Sequence, residues 1–292
     1  MLTVVATYLL LVLGSTVRVT NSGMGCPGWP LCSGRVGPIS QFHPLMEQSH
    51  RYLATIVTVL IILIAGLAFR AGPQAKFVRV PSLIAVGMIA IQVVLGAVTV
   101  ITNNAPVTVA LHLVVGLIFM GAVTVTAVAT FIGYEQSWMP FRHRPSLAWA
   151  ALGGLFLIVI TGTLVVDGGA QSACTSHPAC IGSPEAGGLV AIQLAHRTMV
   201  LIGGTLLVVY LVSFLRGRSA RVSTVRLAQA GLLLLAVQVI VGLFDATLGA
   251  PAGLADVHLA LASALWTVVV AVFALSATDR ISTDPSPVAQ PL

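Results

Sequence analysis

The chain has 292 residues, of which 57% are hydrophobic and only 8% are charged, and its mean hydropathy is +1.02. Soluble domains carry roughly 25% charged residues, so this composition excludes an ordinary soluble domain and indicates a protein that crosses a membrane several times. The formal net charge of +6 comes from short basic groups beside the apolar segments. Because these groups form no continuous patch, we expect no nucleic acid as a partner.

Apolar stretches along the chain approach or reach the roughly 20 residues that one transmembrane helix needs. In chain order they are 2–17, 49–70, 80–101, 107–132, 146–166, 190–215, 225–249 and 255–276. The first stretch is short, but it lacks the basic N-terminal region of a signal peptide, so we expect a retained helix. The fold class predicted from these stretches is an all-α polytopic membrane protein with eight transmembrane helices.

The second half of the chain repeats the first. His50 and His112 are 62 residues apart, His196 and His258 are also 62 apart, and the second pair follows the first by 146 residues. Neighbouring residues correspond at the same offset, as in QVVLG at 92–96 and QVIVG at 238–242. Because internal repeats define architecture, we predict two pseudo-symmetric four-helix bundles lying side by side.

The boundaries of the two bundles follow from this repeat. Residues 1–140 form the predicted N-terminal four-helix bundle, and residues 141–280 form the C-terminal one. The polar, Pro-rich tail 281–292 is expected to be disordered. Since each bundle has an even number of spans, both have the same orientation, and an axis along the membrane normal relates them.

Basic residues indicate how the helices are oriented. Ten of the fourteen Lys and Arg residues follow the second, fourth, sixth and eighth spans, and four lie on the other side. Cytoplasmic loops are enriched in Lys and Arg, so we predict that both termini are cytoplasmic. We expect the chain to lie in a bacterial plasma membrane.

The four cysteines form two pairs, Cys26 with Cys32 and Cys174 with Cys180, and each pair is separated by six residues. Both pairs lie in predicted outer loops, where oxidising conditions preserve disulfides. Free thiols or a metal site are the alternatives for such pairs. Matching pairs in both repeats favour two disulfides, and a redox role for one pair stays open.

The repeated histidines are predicted to lie within about 10 Å of the outer membrane boundary, at a rise of roughly 1.5 Å per residue. The second and fourth helices of each bundle then present facing imidazoles, which suits a haem iron with two axial histidines. A single histidine in an apolar helix is more often a packing residue, but four on one duplicated grid favour iron ligands. We expect the three histidines outside this grid to be solvated, His43 and His177 in outer loops and His143 among cytoplasmic basic residues.

Glu47 distinguishes the two halves. It precedes His50 by three residues and shares a helix face with it, whereas the second repeat has Gln193 at that place. A carboxylate at the membrane boundary is a functional candidate, and a Glu stabilised by the helix N-terminus is the alternative. Its presence in one half alone favours an acid or base role. Arg51 and Arg197 are expected to bind haem propionates, with interfacial anchoring as the alternative.

The first predicted outer loop resembles that of a known family. Residues 14–32, GSTVRVTNSGMGCPGWPLC, are similar to the first outer loop of the haem A synthases. Residues 47–51, EQSHR, resemble the E-x-x-H-R entry to the second helix of that family. The Cys-Pro-x-Trp-Pro-x-Cys core is specific, and the frame of histidines and helices covers nearly the whole chain. Gly28 stands where the family commonly has an acidic residue.

The resemblance implies an oxidoreductase acting on a CH3 group. The reaction would oxidise the C8 methyl of haem O to a formyl group, through hydroxylated intermediates, for cytochrome oxidase assembly. It also implies that His196 and His258 hold a resident haem b (iron protoporphyrin), that His50 and His112 hold the substrate haem, and that Glu47 is catalytic. The bundle at 1–140 is then the substrate half and that at 141–280 the resident haem half, with both sites toward the outer face.

The implied partners are haem O, the lipid bilayer, the haem O synthase and an electron acceptor, and a homo-oligomer is left open. Two other functions compete with the synthase. A dihaem electron-transfer cytochrome b would hold permanent haems on the same four histidines, but the single carboxylate and the cysteine loop argue against it. A non-enzymatic haem carrier would exchange haem without changing it.

Overall fold

The computed structural model describes residues 1–26, 28–34, 39–132, 145–171, 173–174, 180, 187–217, 220–249 and 251–279. The helices are α1 Leu2–Val19, α2 Phe42–Arg70, α3 Lys76–Ile101, α4 Pro106–Ile132, α5 Ser146–Asp167, α6 Gly188–Arg216, α7 Val222–Thr247 and α8 Ala252–Asp279. Eight helices in the described part are long and apolar enough to cross a membrane. The predicted class, a multi-pass all-α membrane protein, is therefore confirmed. The tail 281–292, His143 and His177 lie outside the described residues.

The second helix begins earlier than its apolar stretch. It starts at Phe42, seven residues before the predicted start at residue 49. Pro44 is compatible with this first turn because backbone N–H groups there have no partner within the helix. The prediction that His43 lies in a loop was wrong, since it belongs to that first turn, although its side chain is exposed. The apolar stretch therefore predicted only part of this helix, because its first turns contain polar residues.

Each half closes into a ring of four helices. Helices α1 to α4 contact one another in order and α1 meets α4, while α5 to α8 do the same and α5 meets α8. The halves contact each other through α1 with α8, α4 with α5, and α4 with α8. In the repeat, α1 corresponds to α5 and α4 corresponds to α8. The contact of α1 with α8 is therefore equivalent to that of α5 with α4, and the contact of α4 with α8 is equivalent to itself. This pattern is that of a pseudo-two-fold axis between α4 and α8.

Polar contacts join the halves as well as apolar packing. Trp266 of α8 donates its indole N–H to the carbonyl of Leu117 on α4 at 2.8 Å. Near the histidine-bearing end of the bundles, Arg18 of α1 forms an ion pair with Asp167 of α5, at 2.5 Å. Polar contacts between membrane helices supplement van der Waals packing, because lipid supplies little hydrophobic drive for helices to associate. The two halves therefore form one structure around their histidines.

Candidate haem sites

The two histidines of the N-terminal half face each other. His50 lies on α2 and His112 on α4, and their ring centroids are 6.5 Å apart at an interplanar angle of 65°. Two metal–imidazole bonds of roughly 2 Å each, together with the distance from each nitrogen to its ring centre, account for such a separation. One metal ion therefore fits between the two rings.

The C-terminal half brings its own pair together. His196 lies on α6 and His258 on α8, the helices that correspond to α2 and α4 in the repeat. Thr161 Oγ1 lies 3.1 Å from His196 Nδ1, a contact that leaves Nε2 of this ring for a metal. Gln238 Nε2 lies 3.2 Å from His258 Nε2, so the amide must leave this nitrogen before it can coordinate iron.

The rings of the N-terminal half have fewer partners. In the described part of the chain no side chain hydrogen-bonds to the ring of His50 or His112, and Nδ1 of each is buried without a hydrogen bond, as is Nδ1 of His258. Gln92 donates to the backbone carbonyl of His112 at 2.9 Å and leaves the ring alone.

Every one of the four imidazoles lies against a glycine of the preceding helix. The pairs are His50 with Gly14, His112 with Gly96, His196 with Gly162, and His258 with Gly242. Sequence reasoning noted Gly96 and Gly242 only as part of the repeat and missed the other two. A signal existed, because Gly14 and Gly162 are 148 residues apart, the same offset as the two cysteine pairs.

The donor set selects the kind of metal centre. Among the described residues, no group of three or more His, Cys, Asp or Glu side chains is arranged to hold a metal ion. Two imidazoles are too few for a bare structural ion such as zinc, which takes four ligands. They are the complete axial set for an iron whose other ligands belong to a porphyrin. The facing rings of the N-terminal half, and the matching pair of histidines in the repeat, therefore fit one haem in each half.

Glu47 is tied to the loop between α1 and α2. Its side chain is buried, and its Oε2 accepts the backbone N–H of Cys26 at 2.8 Å. Its Oε1 accepts a hydrogen bond from Arg51, one turn later in α2. Cys26 is joined to Cys32 by a disulfide. The carboxylate thus lies at the junction of a helix, an arginine and a covalently closed loop.

Arg51 also holds this loop. Its Nη1 donates to the carbonyl oxygens of Gly28 and Pro30, at 3.0 and 3.1 Å. These contacts, with the bond to Glu47, occupy donors that the sequence prediction gave to a haem propionate. Arg197 in the other half has Nη1 at 3.5 Å from Cys180 Sγ. The propionate roles of both arginines stay predictions.

The second half repeats this anchoring with an amide. Gln193 is buried, and its Nε2 donates to the carbonyl oxygens of Ala170 and Gln171, at 2.8 and 3.2 Å. Cys174 and Cys180 form the second disulfide. The side chain three residues before the first histidine therefore fixes the preceding loop in both halves. Glu47 does so by accepting a backbone hydrogen bond, and Gln193 does so by donating one.

Known proteins with similar sequences show which family this chain belongs to. The chain matches COX15-CtaA, a family described as cytochrome oxidase assembly protein, at residues 1–44 and 39–270. A "Heme A synthase" of Shouchella clausii is 30% identical over 250 residues, which cover 80% of this chain and 81% of the relative. A "Heme A synthase" of Exiguobacterium sp. is 30% identical over 210 residues, covering 70% and 68%. The chain, with its duplicated histidine pairs on eight helices, belongs to the COX15-CtaA family of cytochrome oxidase assembly proteins.

Proposed function

We propose that this chain is a haem A synthase, an oxidoreductase that converts the C8 methyl group of haem O to the formyl group of haem A for cytochrome oxidase assembly. The names of its relatives and its family membership support this function. The structural observation that carries it is the pair of similar histidine sites in which the buried side chain three residues before the first histidine is a carboxylate, Glu47, in one half and an amide, Gln193, in the other. Two haems with the same task would not need this difference.

The two sites take different haems. His50 and His112, in residues 1–140, hold the substrate, and His196 and His258, in residues 141–280, hold a resident haem b. A haem b held by both of these histidines would supply electron transfer and not dioxygen activation. Thr161 supports the resident role of the second site, because a hydrogen bond to the second nitrogen of a ligating histidine fixes its orientation.

The reaction releases protons that a protein group must accept. With oxygen from water, the methyl group becomes an alcohol and then a geminal diol, and each step releases two electrons and two protons. Loss of water from the diol gives the formyl group. The electrons leave for an acceptor outside the chain.

Glu47 is the proton acceptor in this proposal. It lies three residues before His50, hence on the same helix face, and the Cys26 N–H and Arg51 fix its carboxylate in one orientation. A base held in one orientation needs little rearrangement before it accepts a proton. Gln193, at the same place in the other half, has no basic oxygen.

The site also has a proposed place in the cell. We place both haems toward the outer face of a bacterial plasma membrane, with both termini cytoplasmic. The two disulfides support this orientation, because disulfides persist on the oxidising side. The proposed partners are the haem O synthase and the electron acceptor.

Haem extraction and mass analysis of the purified protein, expressed with and without haem O, test this function. We expect haem b in both preparations, and hydroxylated haem or haem A only with haem O. His50→Ala should lose the oxidised products and keep haem b, whereas His196→Ala should lose haem b. His43→Ala is the control, because this side chain is exposed and outside both pairs.

Other results would support the competing functions. Unmodified haem b in both sites, unchanged by haem O, would indicate a dihaem electron-transfer cytochrome. Release of unmodified haem O to an acceptor protein, without any C8 product, would indicate a haem carrier.

A further inference from the structure

The glycine contacts of the N-terminal half differ in closeness. An ideal Cβ atom built on Gly14 would lie 2.9 Å from Cε1 of His50, closer than real Cβ atoms approach other atoms. A Cβ atom on Gly96 would lie 3.5 Å from Cε1 of His112, which is ordinary van der Waals contact. The ring of His50 is therefore pressed against the backbone of α1, and the ring of His112 has free space beside α3.

In the C-terminal half both contacts are close. A Cβ atom on Gly162 would lie 3.0 Å from Cε1 of His196, and one on Gly242 would lie 2.6 Å from Cε1 of His258. Neither glycine can gain a side chain unless the imidazole moves. Both rings of this half are thus held against the backbone of the preceding helix.

One hydrogen bond to a ring follows the same division. Thr161 bonds to Nδ1 of His196, and its counterpart at the 148-residue offset is Leu13, which has no hydrogen-bonding group. The contact of Gln238 with His258 adds no such restraint, because it occupies the nitrogen that iron would take. The close packing of both rings, together with the bond to His196, makes the C-terminal pair the more restrained one.

We propose that Gly14, Gly162 and Gly242 are positioning residues that fix the ring planes of three axial histidines. We propose also that the looser contact of His112 makes the N-terminal haem the exchangeable one. This inference rests on the proposed function, in which the N-terminal haem is a substrate that enters and leaves at each turnover.

The physical basis is the freedom of the imidazole about its Cβ–Cγ bond. This torsion has a broad, weakly restricted profile, so a histidine side chain does not fix its own ring plane. A glycine lets the neighbouring helix backbone approach the ring edge and block the rotation. A ring held in its ligating orientation loses less freedom on binding iron, and therefore binds more tightly. The His112 ring keeps this freedom and releases its haem more readily.

Haem transfer to excess apomyoglobin tests this without any turnover. Purified protein carrying haem at both sites should release it in two phases, and the faster phase should be missing in His50→Ala. Gly242→Ala should accelerate the slower phase by roughly tenfold to a hundredfold, the range found when groups that orient a metal ligand are removed. Gly96→Ala, at the matched position, would place its Cβ atom in ordinary contact with the His112 ring and should accelerate neither phase.

Spectroscopy separates ring positioning from a general loss of structure. The electron paramagnetic resonance of a low-spin ferric haem depends on the mutual orientation of its two imidazole planes. Gly242→Ala should shift the signal of the slowly released haem, and the unchanged signal of the other haem shows that the variant is folded. Gly162→Ala is a second, milder variant. Gly153→Ala is its control on α5, because a Cβ atom there meets no atom within 4 Å.

Two results would overturn the inference. One is equal release rates for both haems, and the other is an equal effect of Gly96→Ala and Gly242→Ala. Failure to form haem A would refute the proposed function but would leave the two phases of release as they are. Single-phase release from a protein that does form haem A would refute only the inference.

Discussion

Glu47 and Gln193 occupy the same position in the two halves, three residues before the first histidine of each pair. Both side chains are buried, and both connect their helix to the preceding loop. Glu47 accepts the N–H of Cys26, whereas Gln193 donates to the carbonyl of Ala170. The comparison shows that an amide is sufficient to anchor this loop. The carboxylate of the first half also pairs with Arg51, and the proposed proton transfer would give it a role that an amide could not take.

The substitution Glu47→Gln separates anchoring from proton transfer. The amide oxygen of the new side chain can still accept the N–H of Cys26, so we expect the loop and both haems to be retained. Turnover of haem O should fall by roughly a hundredfold to ten-thousandfold, the usual contribution of a general base. The measurement is haem A and hydroxylated haem formed per substrate haem under single-turnover conditions.

The matched substitution in the other half is Gln193→Ala. It removes hydrogen bonds to Ala170 and Gln171, so it should weaken the loop by about 1 kcal/mol for each bond and leave turnover near the original rate. If Glu47→Gln retained full turnover, Glu47 would be only an anchor, like Gln193, and another base would be required.

The two disulfide loops provide a second comparison. Each closes a sequence separation of six residues, which corresponds to about 2 kcal/mol of chain entropy. Replacing Cys26 and Cys32 by Ser should also lower turnover by roughly tenfold to a hundredfold, because Glu47 loses a fixed donor. The Ser variant of Cys174 and Cys180 should lower only thermal stability.

Turnover and unfolding temperature of the two double variants, measured in the same detergent, check this difference. Equal losses of turnover in both would show that the loops affect activity only through stability. Reductant added to the wild-type protein should reproduce the turnover loss of the first variant and not exceed it.

The sequence was sufficient for the helical frame but not for the contacts that distinguish the halves. Hydropathy located all eight helices because the bilayer demands a long apolar segment for each span. Hydropathy missed the polar start of α2 at Phe42, because these first turns are not part of the long apolar segment that a span requires. The repeat aligned the histidines, yet Gly14 and Gly162 escaped because their offset differs by two residues.

Side-chain partners were harder to predict than positions. Arg51 was expected at a propionate, but its guanidinium also bonds to the carbonyls of Gly28 and Pro30. Sequence spacing shows which residues share a helix face, but not how closely two helices approach or which loop folds over their ends. For the same reason the spacing of His112 and His258 could not show which ring is tightly packed.

The junction between the halves gives the smallest predicted effect. Trp266 and its repeat counterpart Met120 are both buried on the facing helices α8 and α4, but only the tryptophan has a donor, which reaches the carbonyl of Leu117. Trp266→Phe keeps most of the apolar contact and loses that bond, at a cost of about 1 kcal/mol. We expect the unfolding temperature in detergent to fall by roughly 2–4 °C, with both haems retained.

Met120→Leu is the control for this substitution, because it conserves volume and removes no hydrogen bond. The Leu117 carbonyl lies inside α4, where the helix supplies its own N–H donor, so the Phe variant leaves no acceptor without a partner. The loss of stability in Trp266→Phe should therefore stay near the contribution of one hydrogen bond. Release of either haem from Trp266→Phe would contradict this, and would mean that the indole fixes the relative position of the two sites and not only the stability of their contact.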